Sequence, residues 1–365
     1  MVMGQTGFTG TSISKALTDP LIVTWRSPSN IALVKYWGKT GRQLPLNPSL
    51  SMTLTEAFTE TKLTLLPEKT GGEVRLDFLI DRIPNPTFGH RISGFLKSVS
   101  DMFPFLSQAA IRIETHNTFP HSAGIASSAS AFSALALCIC SMEEKLSGKP
   151  LDDFFLTASS LSRLGSGSAC RSVYGGFCLW GETGALLSSS DLHAVALDRV
   201  HPVFYDLQDA ILILSNKEKK VSSSRGHERM DVHPYAKSRI LHANSNTNIL
   251  LKALQEGDID TFIQVTENEA LTLHALMMTS QPGFMLMEPE SVRIIRQIQA
   301  FRENTGLKVC YTLDAGPNVH LLFFKKDFEQ VKRLIVEDLI INDKQNSWIH
   351  DKCGSGPQKV NQAFR

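Results

Sequence analysis

Apolar and polar residues alternate in two stretches early in the chain. Leu50, Met52 and Leu54 are interleaved with Ser51, Thr53 and Thr55, and Val74, Leu76 and Phe78 repeat that period within Glu73–Ile80. Both stretches predict half-buried strands. The period then lengthens: Ile92, Phe95, Leu96, Val99 and Phe103 fall at helical spacing and predict a helix over Gly89–Phe103. Ala110–Thr115 reads as a strand feeding a small-residue loop, which runs into an apolar helix carrying Ala131, Leu135, Cys138 and Ile139. A second helix, Leu151–Arg163, precedes the Gly-Ser segment Gly165–Ser168 and a strand over Val173–Trp180.

The character changes near residues 200–216. An apolar run, Ala210–Leu214, is followed by the charged stretch Asn216–Lys220 and a polar loop, Ser222–Gly226. Helical patterns then cover Tyr235–Glu256, Ile259–Leu276 and Pro289–Glu303. Two strand-like runs, Lys308–Leu313 and Val319–Phe324, flank Asp314–Asn318, and Phe328–Leu339 is helical. The whole predicts an α+β protein. Its 365 residues suffice for two substantial domains, and a net charge of +1 gives no reason to expect nucleic acid or an acidic membrane as partner. No apolar run reaches bilayer-spanning length. The first twenty residues are polar, lack the apolar core of a signal peptide and read as a flexible extension. The six cysteines are scattered without zinc-site spacing and read as free thiols of a reducing, cytoplasmic compartment.

Five segments concentrate chemistry. Asn117–Ser133 leads into a helix through residues too small to block a ligand from its first N–H groups, which suits phosphate oxygens; the same smallness also lets a helix pack closely on a strand. Ser29–Lys39 places Lys35 and Lys39 at i,i+4 beside Tyr36 and Trp37. Gly165–Ser172 offers hydroxyls, backbone donors and the Arg171 guanidinium, a set fit for phosphate or carboxylate or for a plain linker. Asp314 ends an apolar strand, where a carboxylate can project into a cleft or simply open the Gly316-Pro317 turn. Val221–Gly226 is a hydroxyl-rich loop that alone reads as a linker.

Together these segments resemble one family. Asn-Ile-Ala-x-x-Lys-Tyr-Trp-Gly-Lys at Asn30–Lys39, Leu-Pro-Leu-Asn at Leu44–Asn47 and Ser-Leu-Ser-Met-Thr-Leu at Ser49–Leu54 look like the diphosphomevalonate decarboxylases of the GHMP kinase superfamily. So do Phe-Pro-x-x-Ala-Gly-x-Ala-Ser-Ser-Ala at Phe119–Ala129, Gly-Ser-Gly-Ser-Ala-Cys-Arg-Ser at Gly165–Ser172, Tyr-Gly-Gly-Phe at Tyr174–Phe177 and Asp-Ala-Gly-Pro-Asn at Asp314–Asn318. Gly354–Gln358 resembles the family's Gly-Pro-Gln tail, so the likeness is collinear over about residues 21 to 360.

The resemblance implies a two-lobed GHMP-kinase-type fold. A ribosomal-protein-S5-like lobe would span 21–208 and a ferredoxin-like lobe 209–345, with a tail over 346–365 packing back on the first and a flexible 1–20. It further implies a cytoplasmic homodimer that decarboxylates diphosphomevalonate to isopentenyl diphosphate, using ATP and Mg2+. Asp314, Lys35, Arg171 and Asn30 would be catalytic. Tyr36, Trp37, Gly38, Lys39, Arg82, Ser166, Gly167, Ser168, Ala169, Cys170 and Ser224 would bind substrate. Gly124, Ala126, Ser127, Ser128, Ser222 and Ser223 would hold ATP, with metal ligands unassigned. Two alternatives lie close by: a decarboxylase of monophosphorylated mevalonate, and a superfamily kinase that phosphorylates without losing carbon dioxide. Arg225–Arg229 carries more charge than the family's equivalent loop.

Overall fold

The structure is a computed structural model that describes residues 9–13, 17–120, 125–215, 223–340 and 347–361. Its first sheet collects β1 (Leu21–Ala32), β4 (Ser49–Lys69), β5 (Leu76–Ile80), β6 (Ile83–Pro84), β7 (Ala109–Asn117), β8 (Phe177–Trp180), β9 (Ala194–Ala196) and β14 (Gln358–Lys359). The spatial order is β14-β1-β4-β7-β5-β6, with β8 added to β4 and β9 to β8. A two-stranded ribbon, β2 (Lys39–Thr40) and β3 (Leu44–Pro45), stands apart. Helices α1 (Pro86–Val99), α2 (Ser127–Ser147) and α3 (Phe154–Gly165) bury their apolar stripes on this sheet, where Leu63, Leu65, Ile111 and Ile113 meet Leu96, Leu135 and Leu161.

The second sheet is antiparallel in the order β11-β12-β10-β13, built from β10 (Leu207–Ile213), β11 (Cys310–Thr312), β12 (Val319–Phe324) and β13 (Ser347–Lys352). The remaining helices are α4 (Ser223–Glu228), α5 (Ala236–Glu256), α6 (Ile259–Thr279), α7 (Pro289–Thr305) and α8 (Phe328–Leu334). One core is shared between the halves: Leu50, Met52 and Phe177 from the first sheet pack with Phe204, Ile211, Leu250 and Phe262. A separate core joins β10, β11 and β12 to α7 and α8 through Leu212, Leu321, Ile294 and Val331. The molecule is thus a two-lobed α+β protein with the lobes joined by apolar packing. Among the described residues no helix is long and apolar enough to cross a membrane.

Several sequence expectations change. The strand around Leu50–Leu54 is buried on both faces, because the polar set Ser51 and Thr53 is covered too; Thr53 Oγ1 donates to Tyr174 O at 2.8 Å. The helix expected to reach Phe103 stops at Val99, since Pro104 starts a short 3₁₀ turn over Pro104–Ser107. The strand expected from Val173 begins at Phe177, because Gly167–Val173 coils into a 3₁₀ turn. The polar loop expected at 222–226 includes the start of α4, and β1 and β13 had no predicted counterpart.

Candidate active site

The inner end of the cleft is built on a sharp departure from β1. Leu33 and Val34 both donate their N–H groups to Leu50 O, at 2.8 and 3.1 Å, and this turn drives Lys35 inward. Lys35 is buried; its Nζ donates to Ala32 O at 2.6 Å and to Asp314 Oδ1 at 2.9 Å. Asp314 arrives from the far lobe, between β11 and β12, with its side chain 25% exposed. Burial lowers the Lys35 pKa from its ordinary range, and the Asp314 carboxylate works against that loss.

The Lys35 backbone is gripped from α5 and α6. Glu269 Oε2 accepts the Lys35 N–H at 2.9 Å, and Arg239 Nη2 donates to Lys35 O at 3.0 Å. Arg239 and Glu269 form a buried two-pronged pair, both contacts 2.7 Å, and Asn246 Nδ2 donates to Glu269 Oε1 at 2.7 Å. Burial disfavours the Glu269 charge, but Arg239, Asn246 and the Lys35 N–H outweigh it and hold the carboxyl below its usual range. Both Glu269 oxygens are satisfied by these donors, whereas Arg239 Nε has no hydrogen-bond partner among the described residues; removing either member of the pair would strand the other charge.

Arg171 reaches the same region from the 3₁₀ turn. Its guanidinium donates to Ser49 Oγ at 2.8 Å and to Asn30 Oδ1 at 3.2 and 3.4 Å, and lies 5.9 Å from the Trp180 ring centroid. Asn30 Nδ2 in turn donates to Ser172 Oγ at 2.8 Å. A planar fork is thereby fixed beside the Lys35–Asp314 pair, the arrangement that orients a carboxylate. The turn needs glycine at 167: an added Cβ would lie 2.7 Å from Trp180 and 2.8 Å from Tyr36 Oη.

The outer end carries donors with fewer protein partners. Tyr36 lies 4.7 Å from the Trp180 ring and 4.3 Å from the His227 ring, and its buried hydroxyl has no hydrogen-bond partner among the described residues. Lys39 Nζ donates to Gln43 Oε1 at 3.1 Å. Arg91 of α1 also lines the cleft, its guanidinium 5.0 Å from the Phe132 ring. Ala126 and Ser128 bring the start of α2 to the wall, where a first turn leaves N–H groups without helical partners. Ala126 is held at φ 44°, a left-handed conformation that costs an alanine energy and sets the helix entry. The cavity holds about 250 Å³. Beside it opens an apolar cavity of about 150 Å³, lined by Phe78, Ile80, Phe88 and Phe132, that shares Arg91 and Ser128 with the cleft.

Of the residues singled out in sequence, Asn30, Lys35, Arg171 and Asp314 meet at the inner end, and Tyr36, Trp37, Lys39, Ser166, Gly167, Ser168, Ala126 and Ser128 also line the cleft. Ser127 lines the neighbouring apolar cavity. Gly38 stands behind the wall and donates its N–H to His227. Ala169 and Cys170 are fully buried and face away into apolar cores. Arg82 is not among the cleft-lining residues; it sits exposed at φ 67° in the turn between β5 and β6. Gly124 and Ser222 lie outside the described residues, and Ser223 and Ser224 supply the first two backbone positions of α4. Sequence reading missed Arg91, Gln43 and His227 in the wall, and Ser49, Arg239 and Glu269 behind it. The Ser49 motif was visible, but the helical residues look like ordinary polar positions.

Family models match both halves: a diphosphomevalonate decarboxylase-like N-terminal domain over residues 27–194, and a mevalonate 5-diphosphate decarboxylase C-terminal domain over residues 209–364. The diphosphomevalonate decarboxylase of Ganoderma lucidum is 32% identical over 333 residues, covering 86% of this chain and 81% of its own. The crystal structure of mevalonate diphosphate decarboxylase from Staphylococcus aureus superposes with a TM-score of 0.81 at 29% identity, covering 95% of this chain and 100% of that one. A solved structure of MDDEF in complex with MVAPP, AMPPCP and magnesium gives a TM-score of 0.79 at 27% identity, covering 94% and 100%.

Proposed function

The chain belongs to the diphosphomevalonate decarboxylase family, and we propose that its cleft carries out the ATP-dependent decarboxylation of diphosphomevalonate through the residues described above. The observation that supports this most is the meeting of Lys35, Asp314, Arg171 and Asn30 at one end of a cleft whose other wall is the start of α2. Simple phosphoryl transfer needs the carboxylate and the helix end. It has no use for a buried guanidinium fork, whereas loss of carbon dioxide needs a carboxylate held in line.

In this reading Asp314 accepts the proton of the tertiary hydroxyl as that oxygen takes the γ-phosphoryl group of ATP. The phosphorylated oxygen then leaves as phosphate, the bond to the carboxylate carbon breaks, and its electrons form the alkene of isopentenyl diphosphate with release of carbon dioxide. Lys35 offsets negative charge at the reacting oxygens, and Arg171, steadied by Asn30 and Ser49, orients the departing carboxylate. Tyr36, Lys39, Ser166, Ser168 and Arg91 would hold the diphosphate; that number of donors favours two phosphates over one. The apolar cavity beside Ser128 suits the flat base of the nucleotide. Among the described residues no group of three or more His, Cys, Asp or Glu side chains could hold a metal, which fits a magnesium ion carried in on phosphate oxygens and water. When bound, that ion would supply charge neutralisation between the phosphates.

We extend the same proposal to the chain's organisation: lobes over 21–208 and 209–345, a tail from 346, and a cytoplasmic homodimer. A coupled assay tests the chemistry. With mevalonate, its 5-phosphate and its 5-diphosphate as substrates, ADP and carbon dioxide should appear in equal amounts and fastest from the diphosphate. ADP without carbon dioxide on all three would make the protein a kinase.

A further inference from the structure

His227 has a place in the cleft that the sequence resemblance did not assign. It comes from α4, whose Gly226 lies so close to Trp37 that an added Cβ would sit 2.3 Å from the indole. That approach seats the imidazole against Tyr36 and Trp37, with ring centroids 4.3 and 4.8 Å away. The ring is 8% exposed and lines the cleft.

Two facts fix its chemical state. Gly38 N–H donates to His227 Nδ1 at 2.9 Å, so Nδ1 must be the lone-pair nitrogen of the ring. Burial, with a smaller contribution from the Lys39 ammonium, lowers the imidazole to about 3, so the ring is neutral at physiological pH. A neutral imidazole that accepts at Nδ1 carries its proton on Nε2. That N–H has no protein partner among the described residues, and neither has the Tyr36 hydroxyl beside it. Two neutral donors therefore lie next to Lys39, in the half of the cleft where the negative charge of a substrate would rest.

We propose that His227 is a substrate-binding residue: its Nε2–H, held in one tautomer by the Gly38 backbone, donates to a phosphate oxygen of the phosphorylated substrate. The inference rests on the decarboxylase reading and deepens it. A fixed neutral donor differs from Lys39 in kind, because its hydrogen bond has direction and adds no charge. It also ties substrate affinity to the seating of α4 on Tyr36 and Trp37, so the far lobe contributes to a phosphate site built chiefly from the near one.

The test uses two substitutions. His227→Asn keeps an acceptor where Nδ1 meets Gly38 N–H but removes the Nε2 donor, whereas His227→Gln can restore a donor at the Nε2 position. For His227→Asn, KM for diphosphomevalonate should rise roughly tenfold to a hundredfold with a much smaller change in kcat, and His227→Gln should recover part of the loss. Nitrogen-15 NMR of the ligand-free wild type at pH 7 should show the Nε2–H tautomer, and its Nε2 proton should shift on adding diphosphomevalonate. An unchanged KM in a folded His227→Asn protein overturns the inference while leaving the decarboxylase reading intact. So does an imidazolium or an Nδ1–H tautomer at pH 7. Failure of the wild type to release carbon dioxide from diphosphomevalonate with ATP would sink the reading itself, and this inference with it.

Discussion

The two ends of the cleft are built on opposite terms. At the inner end, Lys35 has Ala32 O and Asp314, Arg171 has Asn30 and Ser49, and Arg239 and Glu269 have one another. Among the described residues at the outer end, the Tyr36 hydroxyl and the His227 Nε2–H have no hydrogen-bond partner, and Lys39 donates to the neutral Gln43 amide with Glu228 as its nearby countercharge. The inner charges are assembled before substrate arrives, so their geometry is a property of the fold. The Tyr36 hydroxyl is buried without a partner among the described residues, a cost that a ligand oxygen would offset. Catalytic orientation and substrate affinity are therefore separable along a single groove, and substitutions at the two ends should separate as kcat and KM effects.

The sharpest way to break that contrast is Asp314→Asn. Turnover should fall by roughly 10²–10⁴-fold, the range for a positioned acid–base group, with nucleotide affinity kept. The structure adds a stability cost, because the change strips the buried Lys35 of its carboxylate. Rates measured beside nucleotide titration and thermal midpoints would decide; near-wild-type turnover would reduce Asp314 to a turn residue. Arg171→Lys comes next. A point charge cannot reproduce the grip on both Asn30 and Ser49, so the expected loss is about tenfold to several hundredfold, mainly in kcat, taking about 1.5–3 kcal/mol for a charge-assisted contact. A rise in KM alone would move Arg171 to the binding end and erase the contrast.

The smallest effect concerns pH at the outer end. His227 is lowered from its ordinary 6.5 to about 3 in the fold. Between those values the unfolded chain binds a proton that the native protein refuses. Stability is then full above the higher value and declines as pH falls towards the lower, by at most about 1.4 kcal/mol per pH unit. Urea midpoints at neutral and mildly acid pH should show the wild type losing ground to His227→Asn as pH drops. Parallel losses in the two proteins would mean that the ring protonates freely within the fold.

What could be read in the sequence follows the kind of signal. Long helices such as Ala236–Glu256 and Ile259–Thr279 were legible because apolar residues recur at helical spacing, even though their buried faces also carry Arg239, Asn246, Glu269 and His274. β1 was not, since its second half, Ser27-Pro28-Ser29-Asn30, is polar yet wholly buried, its side chains satisfied by Ser172 O, Ile125 O and Arg171. Motifs located the inner end because its residues cluster in short segments. Arg91 and Glu269 were invisible for the converse reason: each sits on a helix where a charged side chain reads as a solvated face, and only the packing of separate elements turns it towards the cleft or Lys35. Arg82, singled out in a weakly matched stretch, lies exposed in the β5–β6 turn.

One piece of topology bears on the order in which the molecule can be made. β14 pairs with β1, Trp25 opposite Lys359 and Arg26 opposite Gln358, and Val360 N–H donates to Thr24 O at 2.9 Å. Gly354 N–H donates to Thr53 O at 2.8 Å, deep in the same sheet. β1 therefore waits for residues far along the chain before this edge is covered. Contacts so distant along the chain form slowly, and an uncovered edge invites pairing with other chains. Until Gln358 and Lys359 pair with it, that edge of the first sheet presents unpaired backbone donors and acceptors.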